Sequence, residues 1–107
     1  HFRSTGPKST LVKQPLLGRS REGGLRYGSM EADSSVSHGA TMFLKDRLCD
    51  QSDAYTLPVC SLCGNTSTTQ SECRACSTDN VKLINIPYAS KLVMDELKAM
   101  LIKIKIN

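Results

Sequence analysis

Apolar residues recur at helical spacing in two stretches of the 107-residue chain. In the first, residues 30–48, they repeat every three or four positions, which predicts one helix with Gly39 as a weak point inside it. Ser29 stands directly before this stretch and is a candidate N-cap. A second helix is predicted to open at Pro87, whose fixed φ angle suits a first helical turn. The second helix has an apolar face comprising Ala89, Leu92, Val93, Leu97, Met100 and Leu101.

Two shorter stretches, residues 54–59 and 81–86, have the length and composition of β-strands. Residues 102–106 also alternate between isoleucine and lysine, but the pattern leaves their secondary structure open. Before residue 29, Gly, Pro, Ser and Thr are frequent and apolar residues are sparse, so extended or looped backbone is expected there. The elements together indicate a small α+β fold.

Composition sets limits on the class of protein. The chain is 39% hydrophobic and has no Trp, which suffices for one small domain and excludes a large independent enzyme core. Its apolar runs are far shorter than the ~20 residues that a bilayer requires, so no membrane span is expected. The sequence begins at His1 and shows no signal-peptide pattern. We therefore expect a fragment or a processed product.

Charge divides the chain near residue 28. Residues 1–28 hold six cationic side chains and one carboxylate, a net charge of +5, whereas residues 29–107 have a net charge of −1. A basic arm (residues 1–28) on a nearly neutral body suggests a polyanionic partner. A solvated basic tail without a partner is the alternative interpretation.

The cysteine spacing is the most specific chemical signal. Two Cys-x-x-Cys pairs are separated by nine residues, and each pair can present two thiolates to one metal through a tight turn. Two disulfides and a redox pair are the alternatives. Disulfides require an oxidising compartment, which nothing in the sequence indicates, and a redox pair does not explain two copies. We therefore predict a zinc ribbon over residues 60–76, with ligands Cys60, Cys63, Cys73 and Cys76.

A shell of four sulfurs leaves no open coordination position, so the predicted zinc is structural and performs no chemistry. Metal binding contributes about 10 kcal/mol or more to the folding of small zinc modules. Cys49 is left over and is interpreted as a half-buried helical thiol rather than a fifth ligand. The predicted fold is thus small α+β, with an extended basic N-terminal arm and two helices flanking a four-cysteine zinc ribbon.

The basic arm interleaves glycines with Arg19, Arg21 and Arg26. Glycine allows backbone amides to approach phosphates closely, and each guanidinium offers a planar fork for two hydrogen bonds to a phosphate. Such contacts position a nucleic acid without selecting its sequence. The pattern therefore favours a nucleic-acid partner.

The full run is more specific than its composition. Gly18-Arg19-Ser20-Arg21-x-Gly23-Gly24-Leu25-Arg26-Tyr27-Gly28-x-Met30-Glu31 resembles the segment before the C-terminal clamp in the second-largest, β-like subunit of multisubunit DNA-directed RNA polymerases. The resemblance continues through Ser37-His38-Gly39-Ala40, the double Cys-x-x-Cys and Ile86-Pro87-Tyr88-Ala89, and so covers essentially the whole chain. It is closer to the eukaryotic, archaeal and large-DNA-virus type than to the bacterial type, which lacks this ribbon. Ser29, where Glu is expected, and a compact loop over residues 65–72 are departures from the family pattern.

The resemblance implies a division of labour along the chain. Residues 1–28 would be the end of the hybrid-binding region and a switch, and residues 29–107 the clamp and anchor region. Arg19, Arg21 and Arg26 would contact phosphates of the DNA–RNA hybrid or template, with Lys8 and Lys13 as lesser contributors. Gly23 and Gly24 would form a hinge for clamp movement.

The resemblance also implies what surrounds the chain. Its partners would be the largest polymerase subunit, other polymerase subunits, the DNA template and the DNA–RNA hybrid. Magnesium would be held by aspartates of the largest subunit, so no catalytic residue is expected here. The location would be the nucleus, or the host cytoplasm or virion for a large DNA virus.

Two other classes of function fit the motifs. One is a free-standing zinc-ribbon factor that binds nucleic acid through the basic arm. The other is a zinc-stapled adaptor whose helices bind only protein.

Overall fold

A computed structural model describes all 107 residues and divides them into two compact units. His1–Ala54 is called here the N-terminal unit and Tyr55–Asn107 the C-terminal unit. Together they contain three α-helices and one two-stranded sheet, which confirms the predicted α+β class with one helix more than expected. None of these helices combines the length and apolar character that crossing a membrane would require.

The basic arm folds into two small loops. In the first, Lys8 and Pro15 form an antiparallel bridge, and the Lys13 amide donates a hydrogen bond to the Ser9 carbonyl at 2.9 Å. The second loop contains a 3-10 turn, Arg19–Arg21. It is closed by the Gly23 amide, which donates to the Gly18 carbonyl at 2.9 Å. Backbone hydrogen bonds between nearby residues thus shape the arm, without long strands or helices.

The first predicted helix is interrupted. Helix α1 spans Ser29–His38 and helix α2 spans Thr41–Lys45, so the expectation of one helix over residues 30–48 is wrong. Gly39 adopts a left-handed φ of 79°, and its amide donates to Val36 while the Ala40 amide donates to Ser35. This pair of bonds is a Schellman motif, which terminates a helix because the left-handed residue turns the chain out of the helical path.

The N-cap prediction also fails. Ser29 is the first helical residue rather than the cap, and the N-cap position is taken by Gly28, which makes no side-chain capping bond. The start of α1 is instead held by Tyr27, the residue before the N-cap, because its hydroxyl donates a hydrogen bond to the Glu31 carbonyl at 3.0 Å.

Helix α2 runs directly into a π-helical turn, Asp46–Asp50. The wider turn is closed by the Gln51 amide, which donates to the Asp46 carbonyl at 2.8 Å. Cys49 lies on this turn and is 6% exposed, so it is more buried than predicted.

The C-terminal unit is built on the two predicted strands, which are both confirmed. Strand β1, Ala54–Cys60, pairs with strand β2, Val81–Pro87. The Ser61 amide, just after β1, donates to the Asn80 carbonyl, just before β2, so the strands run antiparallel. Residues 61–80 between them form the metal loop.

Helix α3, Tyr88–Ala99, begins directly after Pro87 as predicted and packs against β2. Tyr88 lies on the side of α3 that faces the sheet, because its ring meets the ring of Tyr55 on β1 edge to face, with 5.2 Å between centroids. Lys91 on the same side places its ammonium 5.9 Å from the Tyr55 ring centroid. The face predicted to be apolar points elsewhere, since Leu92 and Val93 are 57% and 53% exposed.

Residues after α3 return to the metal loop. They form no regular secondary structure, and a left-handed φ of 64° at Leu101 turns the chain away from the helix axis. The Ile106 amide then donates to the Gly64 carbonyl at 2.9 Å.

We expect Gly39→Ala to lower the free energy of unfolding by about 1 kcal/mol, because alanine is strained at positive φ. No atom lies within 4 Å of the position a Cβ would take, so the effect is conformational rather than steric. Urea denaturation followed by far-UV circular dichroism measures it, with Gly39→Asn as the matched control that tolerates this backbone better. Stabilisation by alanine would show that one continuous helix forms in solution.

Candidate metal centre and arginine surface

The four cysteines of the two Cys-x-x-Cys pairs converge in the C-terminal unit. Their sulfur atoms all lie within 4.8 Å of one another. The Cys63 and Cys73 sulfurs are 3.8 Å apart, and the Cys60 and Cys76 sulfurs are 3.9 Å apart. A tetrahedral zinc with bonds near 2.3 Å requires neighbouring sulfurs about 3.8 Å apart. The cluster therefore has the ligand set and spacing to hold one metal ion.

The first pair is presented by the end of β1. Cys60 is fully buried, and its amide donates to the Asn65 carbonyl at 3.0 Å while the Gly64 amide donates back to the Cys60 carbonyl at 3.0 Å. Gly64 adopts a left-handed φ of 73°, which favours glycine directly after the pair. A Cβ there would also lie 2.9 Å from the Ile106 carbonyl oxygen, so size and conformation both select glycine.

The second pair sits on a similar turn. The Cys73 amide donates to the Thr78 carbonyl at 2.7 Å, and Ser77 takes a left-handed φ of 53°. The polar segment between the pairs is folded by its own hydroxyls. Ser67 and Thr69 both donate side-chain hydrogen bonds to the Glu72 carbonyl, at 2.9 and 2.7 Å.

The pKa values of the cluster's thiols favour a bound cation. The backbone amide of Cys63 lowers the pKa of the Cys60 thiol to about 6, against the opposing effect of burial. Hydrogen bonding to the Cys63 sulfur, together with burial, raises the pKa of Cys76 to about 12. Four sulfurs this close cannot all ionise alone, because like charges repel at short range. A divalent cation removes that repulsion and allows all four thiolates to form.

Cys49 is not a member of the cluster, which consists of the four cysteines of the two pairs. It lies in the N-terminal unit, on the π-helical turn. Burial raises the pKa of its thiol, and the nearby carboxylates of Asp50 and Asp53 act in the same direction. Cys49 is therefore a protonated, buried thiol.

The arginines of the basic arm are presented outward. Arg19 and Arg21 lie on the 3-10 turn, Arg26 lies just before α1, and all three are exposed and make no ion pair. Lys8 is exposed at the Lys8–Pro15 bridge, and Lys13 is half-buried with a left-handed φ of 58°. The three guanidinium groups are thus free to meet an anionic ligand.

Gly23 and Gly24, the glycines predicted as a hinge, lie where the backbone of their loop comes close to the backbone of residues 16–18. A Cβ on Gly23 would collide with the Leu16 carbonyl and lie 2.8 Å from the Gly18 nitrogen. The Gly24 amide donates to the same Leu16 carbonyl at 2.9 Å. The local packing therefore requires glycine at position 23, and the hinge function stays a prediction.

A groove of about 940 Å³ lies within the N-terminal unit. Its lining includes Arg21 and Arg26 together with two arginines that the sequence reasoning did not single out as contacts, Arg3 and Arg47. Arg3 stands outside the Gly/Arg run, and Arg47 lies in a mixed-charge segment typical of an exposed helix. Only the folded backbone brings the four together.

Comparison with known proteins decides the family. The family described as RNA polymerase Rpb2, domain 7, matches residues 23–107. This chain belongs to that family. The predicted relationship to the second-largest polymerase subunit is confirmed.

Individual relatives come from both cells and viruses. The chain is 51% identical over 104 residues to DNA-directed RNA polymerase II subunit RPB2 of Encephalitozoon cuniculi, with 94% of the chain covered. It is 50% identical over 109 residues to DNA-directed RNA polymerase II subunit 2 of Arabidopsis thaliana, with 95% covered. It is 48% identical over 107 residues to a probable RPB2 homolog of Invertebrate iridescent virus 3, with 100% covered. The chain spans 9% of the length of each of these relatives.

We expect one zinc ion per chain, and we expect its removal by a strong chelator to unfold the C-terminal unit of this family member. Loss of the Tyr55–Tyr88 contribution to near-UV circular dichroism reports the unfolding. Cys76→Ser should lose the metal, whereas the control Cys49→Ser should keep it, as measured by elemental analysis. A spectrum unchanged by the chelator would contradict the prediction.

Cys49 should alkylate at least about tenfold more slowly in the folded, zinc-loaded chain than in urea, because burial limits access and a raised pKa lowers the thiolate fraction. Iodoacetamide labelling at mildly alkaline pH, followed by mass spectrometry of the Cys49 peptide, measures the rate. Equal rates in both states would show that the π-helical turn is open in solution.

Proposed function

We propose that this chain is the clamp portion of the second-largest subunit of a DNA-directed RNA polymerase. The family match over residues 23–107 carries the proposal, and it is supported by relatives whose names denote that subunit. Residues 1–28 serve as the hybrid-binding end and switch, and residues 29–107 as the clamp and anchor region. The chain thus acts in transcription as part of a nucleotidyltransferase.

The four-cysteine cluster holds one structural Zn²⁺ in this proposal. The ligand set fits, since four thiolates at tetrahedral spacing are typical of closed zinc sites. Bound zinc supplies folding free energy and no reaction chemistry. The chain's own residues do the rest: the turns after Cys60 and Cys73 hold the thiols in place and tie the metal loop to the sheet.

The arginine surface contacts the DNA–RNA hybrid. Arg19, Arg21 and Arg26 bind phosphates, and Lys8 and Lys13 add weaker attraction. Support comes from the exposure of the three arginines and from the absence of ion pairs at them, which leaves each guanidinium fork free for a phosphate. The contacts position the hybrid while Mg²⁺, held by the largest subunit, serves phosphoryl transfer. This chain supplies no acid, base or nucleophile.

Gly23 and Gly24 act as the hinge when the clamp moves. The 3-10 turn that carries Arg19 and Arg21 lies directly before these glycines. A small backbone change at the glycines therefore redirects two of the phosphate contacts together.

The largest subunit and other polymerase subunits are the proposed protein partners. The exposed apolar side chains of α3, such as Leu92 and Val93, are suited to such contacts. The proposed location follows the polymerase: the nucleus of a cell, or the host cytoplasm or virion for a large DNA virus.

Arg19→Gln and Arg26→Gln should each weaken binding to an RNA–DNA hybrid and reduce the slope of log affinity against log salt by about one, because each removes one phosphate contact. Fluorescence anisotropy with a labelled hybrid, begun at low salt, measures both quantities. Lys82→Gln, an equal loss of charge on exposed β2, is the matched control and should change little.

If the unmodified chain fails to bind the hybrid even at low salt, the arginine surface has another purpose. That result would favour an adaptor whose helices bind only protein.

A further inference from the structure

The groove of the N-terminal unit carries charge of one sign. Its arginines come from three separate stretches of the chain: Arg3, then Arg21 and Arg26, then Arg47 after α2. No Asp or Glu is among the residues that line the groove. Guanidinium groups gathered in one groove repel one another, and a polyanion relieves that repulsion while releasing its own counterions.

Arg3 builds the groove rather than contacting the ligand. Its guanidinium donates to the Pro7 carbonyl at 3.0 Å and also to the Glu22 carbonyl. Close by, the His1 ring nitrogen lies 2.7 Å from the Gly23 carbonyl oxygen. These bonds hold the start of the chain against the loop that bears Arg21.

Arg47 is held differently, by an aromatic ring. Its guanidinium carbon lies 5.3 Å from the centroid of the Phe43 ring, one helical turn earlier. Phe43 in turn meets Tyr27 edge to face, with centroids 6.2 Å apart. Stacking on a ring restricts an arginine side chain while leaving its hydrogen-bond donors available at the edge of the guanidinium plane.

The Asp46 carboxylate, which would compete with a phosphate for Arg47, makes only a weak ion pair with it. The Nε of Arg47 is 3.7 Å from Oδ2 of Asp46, which is longer than a hydrogen bond, and the two side chains are 50% and 41% exposed. An exposed ion pair of this kind contributes little. A phosphate entering the groove therefore meets a preoriented fork whose existing partner is easily displaced.

We propose that Arg47 is a further phosphate-binding residue and that Phe43 positions it. The nucleic-acid surface then extends from the basic arm onto the segment after α2. Its ligand is the phosphate backbone of the DNA–RNA hybrid, so this inference rests on the proposed function. Arg47 adds one contact from a folded element to those made by Arg21 and Arg26 from the loop.

The test compares two losses of charge two residues apart. Arg47→Gln removes the proposed contact, and Lys45→Gln removes a cation from the end of α2 that does not line the groove. The zinc-loaded full chain is titrated with a fluorescein-labelled RNA–DNA hybrid at several salt concentrations. Arg47→Gln should weaken binding about tenfold and reduce the salt slope by about one. Lys45→Gln should change the affinity less than about twofold.

Phe43→Leu tests the positioning role. It keeps the charge of Arg47 but removes the ring beneath it, so we expect weaker binding with a nearly unchanged salt slope. Far-UV circular dichroism of each variant checks that the helices remain. A Phe43→Leu variant that binds like the unmodified chain would overturn the positioning role.

The outcomes separate this inference from the proposed function. If Arg21→Gln weakens hybrid binding and Arg47→Gln behaves like Lys45→Gln, the arm binds nucleic acid and the assignment of Arg47 is wrong. If the unmodified chain does not bind the hybrid, the proposed hybrid contact of the basic arm fails and the assignment of Arg47 fails with it.

Discussion

Four sulfur atoms within 4.8 Å of one another are the constraint on which the C-terminal unit depends. The fully enclosed positions of this unit are few, and they include Leu57, Val59 and two of the cysteines, Cys60 and Cys73. So small an apolar core provides limited stabilisation. Cysteines of the thiol cluster fill part of the core, a role that aliphatic side chains have in a larger domain. A cation that neutralises the thiolates therefore closes the core as well as the metal loop.

The basic arm is organised around the opposite problem, an excess of positive charge. Most of its cations have no carboxylate within reach, and the bonds that shape the basic arm run mainly between backbone groups, as in the loop closed by Gly18 and Gly23. Its stability thus does not rely on neutralising the arginines internally. Arg19, Arg21 and Arg26 therefore remain available to a partner.

Much of this organisation is predictable from local sequence. The cysteine spacing determines which thiols can meet, Pro87 marks the start of α3, and the length and composition of residues 54–59 and 81–86 mark both strands. These features depend on a few neighbouring residues. The resemblance of the Gly/Arg run to a polymerase segment is equally local, and the family match confirms it.

The errors arise where the local backbone conformation or contacts between elements outweigh the spacing of apolar residues. Apolar spacing alone predicts a helix through Gly39, whereas the Schellman bonds to Ser35 and Val36 make a stop there favourable. On α3 the most apolar stripe faces outward, and an aromatic contact between Tyr88 and Tyr55 selects the inner side. Arg47 lies on the π-helical turn that follows α2 and lines the groove with arginines distant in sequence. None of these outcomes is encoded by residue spacing.

The hydrogen bond from Ile106 to Gly64 ties the segment after α3 to the turn that presents Cys60 and Cys63. Its consequence is a thermodynamic coupling between tail and metal. Whatever holds residues 102–107 in place also favours the metal-binding form of the turn, and metal binding favours the docked tail by the same free energy. A neighbouring protein that binds residues 102–107 in this position would thereby raise the affinity of the site for a metal ion. A protein that displaces the segment would lower that affinity.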